Sequence, residues 1–317
     1  MILRETKLID RIRRLADAAT NRSVVRGIGD DCAILRVRPG FELLVTTDLC
    51  VEGVHFRQEW HPAKSVGHRC LTRGLSDIAA MGGEPLACFL SLGLSSSLPQ
   101  RWVDGFLQGL RDLARHFKIQ LAGGDISSAR RITADIVVVG EVPAGKALLR
   151  SGARPGDRIY VTGDLGGSAA ALKRLYKGEK IRLVKSSRHF YPLPRIEAGL
   201  WLRQKSKANS MIDLSDGLSV DLAHICQESR VSAILYADRV PVAKGADLAL
   251  ALHGGEDYEL LFTAPARAKL PQRIAGARVT EIGVIRKPSN YSSAIQIVGE
   301  NGTVRSLAPL GWEHFRK

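Results

Sequence analysis

The chain has 317 residues, of which 45% are hydrophobic and 25% charged, with a formal net charge of +14. That balance excludes a disordered, collagen-like or disulfide-built protein, and the length favours two domains with ample core. The basic residues are dispersed and aromatics reach only 6%, so no basic stretch interleaved with stacking rings exists and nucleic acid is not an expected partner. No apolar run approaches the ~18 residues that mark a membrane span. The N-terminus lacks the apolar stretch of a secretory signal. Five cysteines, Cys32, Cys50, Cys70, Cys88 and Cys226, show no CxxC spacing, which argues against zinc or a disulfide framework and for a reducing, cytoplasmic setting.

In chain order, residues 42–47 read as a strand that delivers Asp48 at its C-terminal end. Residues 62–81 read as a helix, with Pro62 near its first turn, Asp77 in its last and Gly82-Gly83 as its stop. A buried strand follows over 86–94. Pro99 opens the clearest helix, because Trp102, Phe106, Leu110, Leu113 and Phe117 recur at three- and four-residue intervals and share one core-facing side. Residues 119–122 form a short strand ending in Gly123-Gly124-Asp125, and 132–139 form another.

The polar, turn-rich stretch 145–157 marks a domain boundary near residue 147, giving domains 1–147 and 148–317. A strand at 158–162 leads through Gly163-Asp164-Leu165-Gly166-Gly167 into a helix at 168–176. Such a turn can present backbone N–H groups to an anion, although neither GxGxxG nor a Walker Lys-Ser/Thr pair is present. Met211-Ile212 runs into Asp213, and a helix at 218–228 carries Leu218, Leu222, Ile225 and Cys226 along one side, with His224 reading as a partly exposed or satisfied histidine and not as a ligand. Strands at 258–263, 280–285 and 294–298 complete the core, and residues 311–315 form a short tail.

Ten of the 32 acidic residues lie in or beside glycine-flanked motifs: Asp30, Asp31, Asp48, Glu52, Asp77, Asp125, Asp213, Asp216, Glu256 and Asp257. Carboxylates gathered in a basic protein repel unless a cation bridges them, and Mg²⁺ typically takes one or two carboxylates plus substrate phosphate oxygens. The positive remainder attracts a polyanion. Any one of these motifs reads equally well as a turn or a helix cap.

Their joint order is more specific. Gly-Ile-Gly-Asp-Asp-Cys-Ala at 27–33, Thr-Thr-Asp at 46–48, Glu-Gly-Val-His-Phe at 52–56 and Leu-Ser-Asp-Ile-Ala-Ala-Met-Gly at 75–82 are followed by four further motifs. These are Gly-Gly-Asp at 123–125, Arg-Ser-Gly-Ala-Arg-Pro-Gly-Asp at 150–157, Asp-Leu-Ser-Asp-Gly-Leu at 213–218 and Gly-Gly-Glu-Asp-Tyr-Glu-Leu at 254–260. The set resembles thiamine-monophosphate kinase, within the superfamily that holds aminoimidazole-ribonucleotide synthetase, selenophosphate synthetase and a hydrogenase-maturation protein. The resemblance runs from Gly27 to Trp312. It implies an α/β chain of α+β type, with two α/β domains, mixed sheets, and a homodimer whose N-terminal sheets form a shared barrel. It also implies ATP as phosphoryl donor, thiamine monophosphate as acceptor and several Mg²⁺ in a cleft between the domains.

By the same resemblance, Asp31, Thr46, Thr47, Asp48, Asp77, Asp125, Asp213 and Asp216 are metal positions, with Asp30 adjoining. Among these, Asp48, Asp125, Asp213 and Asp216 are expected to serve catalysis. Gly124, Asp125, Arg150 and Ser215 match nucleotide contacts; His55, Glu256 and Trp312 match the acceptor side. For Trp312, packing of the tail is an equal reading, and Asp257 reads as a turn holder. Ile126 departs from the pattern, which places a hydroxyl residue after the Gly-Gly-Asp. Of the rivals, the synthetase lacks the 254–260 and 52–56 runs, selenophosphate synthetase carries a Cys or Lys motif absent before Gly27, and the hydrogenase-maturation protein ends in cysteine. A noncatalytic phosphate-binding protein would not need so many carboxylates.

Overall fold

A computed structural model of the chain describes residues 5–16, 21–181, 187–288 and 294–312. Their chain divides into two units, passing from one to the other between Gly145 and Lys146. The described parts of Met1–Ile78, Gly83–Gly145 and Lys185–Pro192 form the first; those of Ala79–Gly82, Lys146–Val184 and Leu193–Lys317 form the second.

The first unit holds α1 (Glu5–Ala16), the small pair β1 (Val24–Arg26) and β2 (Ile34–Leu35), then β3 (Phe41–Val51), α2 (Ala63–Ala80), β4 (Glu84–Leu94), α3 (Gln100–His116), β5 (Gln120–Ser128) and β6 (Thr133–Pro143). Four of the strands make a mixed sheet in the order β3-β6-β4-β5, with β4 and β5 parallel and the other pairs antiparallel. The period of two decides which side chains of β3 meet the helices. Thr46 lies against α2 at Gly74, where an added Cβ would stand 2.6 Å from Val138 Cγ2 and 3.5 Å from Thr46 Cγ2. The helix therefore rests close on the sheet at Gly74, and Asp77, three residues on, returns to the same face. The alternate residues Leu43, Val45 and Leu49 are exposed, leaving an apolar stripe on the other side of β3.

Helix α3 is amphipathic as its spacing requires: Phe106, Leu110 and Leu113 are buried, and Trp102 stacks between Phe106 at 5.7 Å and Phe56 at 6.1 Å. The described part of Lys185–Pro192 returns from late in the chain to α2. His68 Nε2 donates to Pro192 O at 2.7 Å, and Arg69 Nη1 donates to His189 O at 3.1 Å.

In the second unit come β7 (Arg158–Thr162), α4 (Gly167–Tyr176), α5 (Ile196–Gln204), β8 (Ser210–Asp213), α6 (Leu218–Ser229), β9 (Ser232–Tyr236), α7 (Leu248–His253), β10 (Leu260–Ala264), β11 (Arg273–Ile274), β12 (Ala277–Arg286), β13 (Ile295–Val298) and β14 (Val304–Ser306). The sheet order is β14-β13-β9-β12-β7-β10-β8, with β11 beside β12, and only the β13–β9 pair among these is parallel. The core joins Ile159 and Val161 of β7 to Leu218, Leu222, Ile225 and Cys226 of α6 and to Ile282 and Ile285 of β12. The mixed α/β class thus matches the sequence reading.

Two strands overrun their expected ends. β3 continues through Asp48 to Val51, because β6 offers a partner at every position down to Thr133; Asp48 stands within the strand, not at its end. β5 likewise runs through Gly123-Gly124-Asp125 to Ser128, paired with β4. Gly124 makes this possible: its φ is +146°, and a Cβ there would lie 1.9 Å from Leu90 O. Glu313, His314 and Phe315 of the expected tail lie outside the described residues.

Candidate functional site

In the first unit, β3 and α2 bring three of the expected oxygen donors together. Thr46 Oγ1 donates to Asp77 Oδ2. Asp48, on the same side of β3, is paired with Arg73 of α2, Nη2 to Oδ1 at 3.3 Å. Thr47 points to the opposite face and donates to Asp135 Oδ1 at 2.7 Å, so the two threonines do not present their hydroxyls to one point.

A second group gathers around a cavity of about 510 Å³, a volume within the range of small-molecule sites. The 27–33 loop, with Asp30, Asp31 and Cys32, forms one wall and the β5 residues Gly123, Gly124, Asp125 and Ile126 another. Ile9 and Ile12 of α1 and Phe89 and Leu90 of β4 supply the apolar part. Asp30, Asp31, Gly124 and Asp125 are exposed. Asp31 N–H donates to Asp30 Oδ1 at 3.1 Å, and Arg26 pairs with Asp30 at 3.2 Å. The cavity therefore offers apolar surface beside carboxylates and a strand lacking side chains at Gly123-Gly124, where a ligand can come close to backbone.

His55 sits in the loop after β3, where Nδ1 accepts from Val51 N–H at 3.0 Å. Its carbonyl accepts from Arg69 Nη2 at 3.1 Å, and Arg69 Nη1 reaches His189 O. His61 Nε2 and His189 Nε2 lie 3.0 Å apart beside this guanidinium. Burial, with Arg69 and His61 alongside, pushes His189 down to about 2, so its imidazole is neutral at any working pH. Glu52 is structural: Oε1 accepts from Gln58 Nε2 at 2.6 Å and Oε2 from Ile132 N–H at 3.2 Å, fixing the loop that carries His55.

The second unit assembles its own group at the end of β8. Asp213 is buried, while Ser215 and Asp216 are half-buried. Glu256 N–H donates to Ser215 O at 2.8 Å, Tyr258 N–H to Leu214 O at 2.9 Å and Trp312 N–H to Asp216 O at 3.1 Å. Backbone bonds thus place Ser215, Asp216, Glu256 and Trp312 side by side across nearly a hundred residues of sequence. Trp312 is 54% exposed. Arg150 is exposed, and its carbonyl accepts from Ser229 Oγ at 2.8 Å.

The glycine turn before α4 is not open to an external anion. Asp257 Oδ2 accepts from Gly166 N–H at 2.6 Å and Oδ1 from Ser168 N–H at 3.3 Å, so a buried carboxylate of this chain already holds that helix start. Glu259, also buried, takes a two-pronged bond from Arg195 at 2.7 and 2.5 Å and one from Thr162 Oγ1 at 2.6 Å.

Asp221 escaped the sequence reading. It lies inside α6, almost fully buried, and Oδ2 accepts from Asp216 N–H at 3.3 Å and Gly217 N–H at 3.0 Å. Burial first, then the neighbouring Asp213 and Asp216, raise its pKa well above the usual carboxylate range. The sequence signal available was an acid four residues after Gly217 on the apolar side of a helix. Among the described residues, no three His, Cys, Asp or Glu side chains are preassembled around one cation position.

Comparison with known proteins decides the family. Residues 29–142 match the family model for the AIR synthase related protein, N-terminal domain, and 154–295 that for its C-terminal domain. The Escherichia coli K12 thiamine-monophosphate kinase is 39% identical over 82% of this chain and 81% of its own length. The chain belongs to the thiamine-monophosphate kinase family. The Salmonella typhimurium member of that family is also 39% identical, over 98% of this chain and 96% of its own. A crystal structure of the Stenotrophomonas maltophilia kinase superposes with a TM-score of 0.80 at 35% identity, covering 95% of this chain and 98% of that one. AaThiL complexed with AMPPCP and TMP gives 0.78 at 30% identity, covering 98% and 97%. The hydrogenase-maturation protein HypE in complex with ATP also reaches 0.80, at 18% identity and covering 96% and 94%, so backbone likeness alone separates no activities within this fold. Among the described residues no helix is long and apolar enough to cross a membrane.

Proposed function

We propose that this chain transfers the γ-phosphoryl group of ATP to the phosphate of thiamine monophosphate, giving thiamine diphosphate and ADP. The observation that carries the reading is the first-unit cavity, lined by Gly124, Asp30, Asp31 and Asp125 together, in a chain whose relative AaThiL is complexed with AMPPCP and TMP. Donor and acceptor are both polyanions, and the net charge of +14 draws them in.

The donor set fits Mg²⁺. Asp30, Asp31, Thr46, Asp48, Asp77 and Asp125 of the first unit, and Asp213 and Asp216 of the second, supply oxygen only, the preference of a hard cation that completes its shell with phosphate oxygens and water, whereas Thr47 is turned to the other face of β3. Bound there, Mg²⁺ would screen phosphate against phosphate and offset charge developing on the transferred group. Gly124 and Ser215 offer backbone and hydroxyl to the nucleotide, and the exposed Arg150 fork pairs with phosphate oxygens. No strong general base is needed, because a phosphate monoester's second pKa is ~6 and the acceptor oxygen is already largely ionised near neutrality. His55, Glu256 and Trp312 hold the acceptor, the indole face suiting a cationic thiazolium. Residue 126 contributes only apolar wall.

The exposed stripe of Leu43, Val45 and Leu49 supports a homodimer in which this face of the N-terminal sheet is covered by a second copy. The domain roles follow: residues 1–147 for nucleotide, Mg²⁺ and dimerisation, 148–317 for completing the phosphate and acceptor sites. An ATP-using biosynthetic role suits the cytoplasm.

Purified protein with Mg²⁺, ATP and thiamine monophosphate yields equal amounts of thiamine diphosphate and ADP, and leaves free thiamine untouched. Chromatography of the products checks this; ADP and orthophosphate without thiamine diphosphate would sink the assignment. A second expectation concerns Trp312. Trp312→Ala weakens thiamine monophosphate binding by about 0.5–2 kcal/mol, the range of a cation–π contact, and changes ATP binding much less. Separate calorimetric titrations measure both, and equal losses would return Trp312 to a packing role.

A further inference from the structure

The loop 214–217 is held almost wholly through its backbone. Leu214 N–H donates to Glu259 O, and the carbonyls of Leu214, Ser215, Asp216 and Gly217 accept from the N–H groups of Tyr258, Glu256, Trp312 and Val220. The remaining amides of Asp216 and Gly217 go to one side chain, Asp221 Oδ2. Gly217 precedes the first residue of α6, so the bond resembles the backward reach of a capping box, made one residue later in the helix. It differs in that the Gly217 bond is buried and the Asp216 bond half-buried, so losing the acceptor leaves two N–H donors without their partner at once.

We infer that Asp221 is a positioning residue for phosphoryl transfer: it fixes the Asp216-Gly217 peptide and through it the aim of the Asp216 carboxylate and Ser215 hydroxyl, without itself touching substrate. The inference rests on the kinase reading for its catalytic consequence, but not for its structural one. The role needs an acceptor oxygen at that point. It does not need a negative charge.

Three proteins separate the alternatives: wild type, Asp221→Asn, which keeps an acceptor oxygen, and Asp221→Leu, which keeps the approximate volume without one. Amide hydrogen exchange of the metal-free proteins gives a readout independent of activity. In wild type the Asp216 and Gly217 amides exchange slowly for a loop; rapid exchange there overturns the inference without any variant. In Asp221→Leu their exchange accelerates by about fivefold or more, the effect of losing one net hydrogen bond, while the β7 and β10 amides keep their protection. In Asp221→Asn they stay slow. The Mg²⁺ concentration giving half-maximal rate rises in the Leu variant and stays within about threefold of wild type in the Asn variant, less than the loss of one net hydrogen bond. Equal damage by both substitutions, with loop amides protected in Asn, would show that the charge matters and overturn the positioning role. Slow loop exchange in the Leu variant would overturn it as well. If the protein makes no thiamine diphosphate at all, the exchange result still stands and the kinase reading alone falls.

Discussion

Asp213→Asn and Asp48→Asn each lower turnover by about 10²–10³, the magnitude typical of removing one preorganised charge-stabilising group from an active site, while circular dichroism and thermal midpoint stay near wild type. The two side chains reach that result differently. Asp48 lies in a continuous strand and pairs with Arg73 at 3.3 Å, so its carboxylate is held on the α2 side of the sheet. Asp213 ends β8, paired across from Leu260, and is buried within the electrostatic reach of Asp221. A buried carboxylate beside other carboxylates is unfavourable unless a cation offsets it. An amide retains the volume and the local backbone but is a poorer Mg²⁺ ligand. The loss therefore appears in kcat and in the Mg²⁺ requirement, with little effect on folding. Near-wild-type rates at limiting Mg²⁺ for both variants would mean that these residues only support the local structure.

The largest expected loss of stability lies elsewhere. Arg195→Ala destabilises the protein by about 3–5 kcal/mol, the cost of removing one partner of a buried ion pair. Glu259 is 1% exposed and takes two charged bonds from Arg195 and a neutral one from Thr162. Without the guanidinium its charge stays buried beside β7 and β10. The double variant Arg195→Met with Glu259→Gln recovers part of the loss, because it removes the stranded charge as well as the pair. Urea unfolding of the three proteins measures this; a loss under about 1 kcal/mol for Arg195→Ala would place the pair with weak surface bridges.

The longer helices and strands were legible where their apolar spacing is regular, whereas α5, α7 and β9 were not read from the sequence. α3 repeats its large residues at three and four, and β7 is a short apolar run ended by glycine. The overrun of β3 was not legible. Thr-Thr-Asp reads as the polar end of a strand, and only the register with β6 reveals a partner for each residue. β5 hid its length for a similar reason, since two glycines and an aspartate signal a turn until Gly124 is seen lying against Leu90 O. Helix α1 was not read from the sequence although Leu8, Ile9, Ile12 and Ala16 recur at helical spacing; its contribution of Ile9 and Ile12 to the cavity depends on tertiary packing.

The candidate site divides along the same line. Glycine-flanked aspartates are visible in any sequence, which is why Asp30, Asp31, Asp125, Asp213 and Asp216 are candidates from sequence alone. Asp221, Arg69 and Arg195 were not, because each acts on the backbone or charge of another segment. Such partners are fixed by approach in space, and no local pattern encodes them. The pairing of Ser215 with Glu256 and of Asp216 with Trp312 likewise belongs to the fold of the second unit.

The most direct test of direct phosphoryl transfer is a single-turnover quench with ATP labelled in its γ-phosphoryl group, enzyme in excess, Mg²⁺ and thiamine monophosphate. The account predicts that label leaves ATP and enters the terminal phosphate of thiamine diphosphate at one rate, with none retained on protein. Label accumulating as orthophosphate, or passing through a protein-bound form before the product appears, would contradict it.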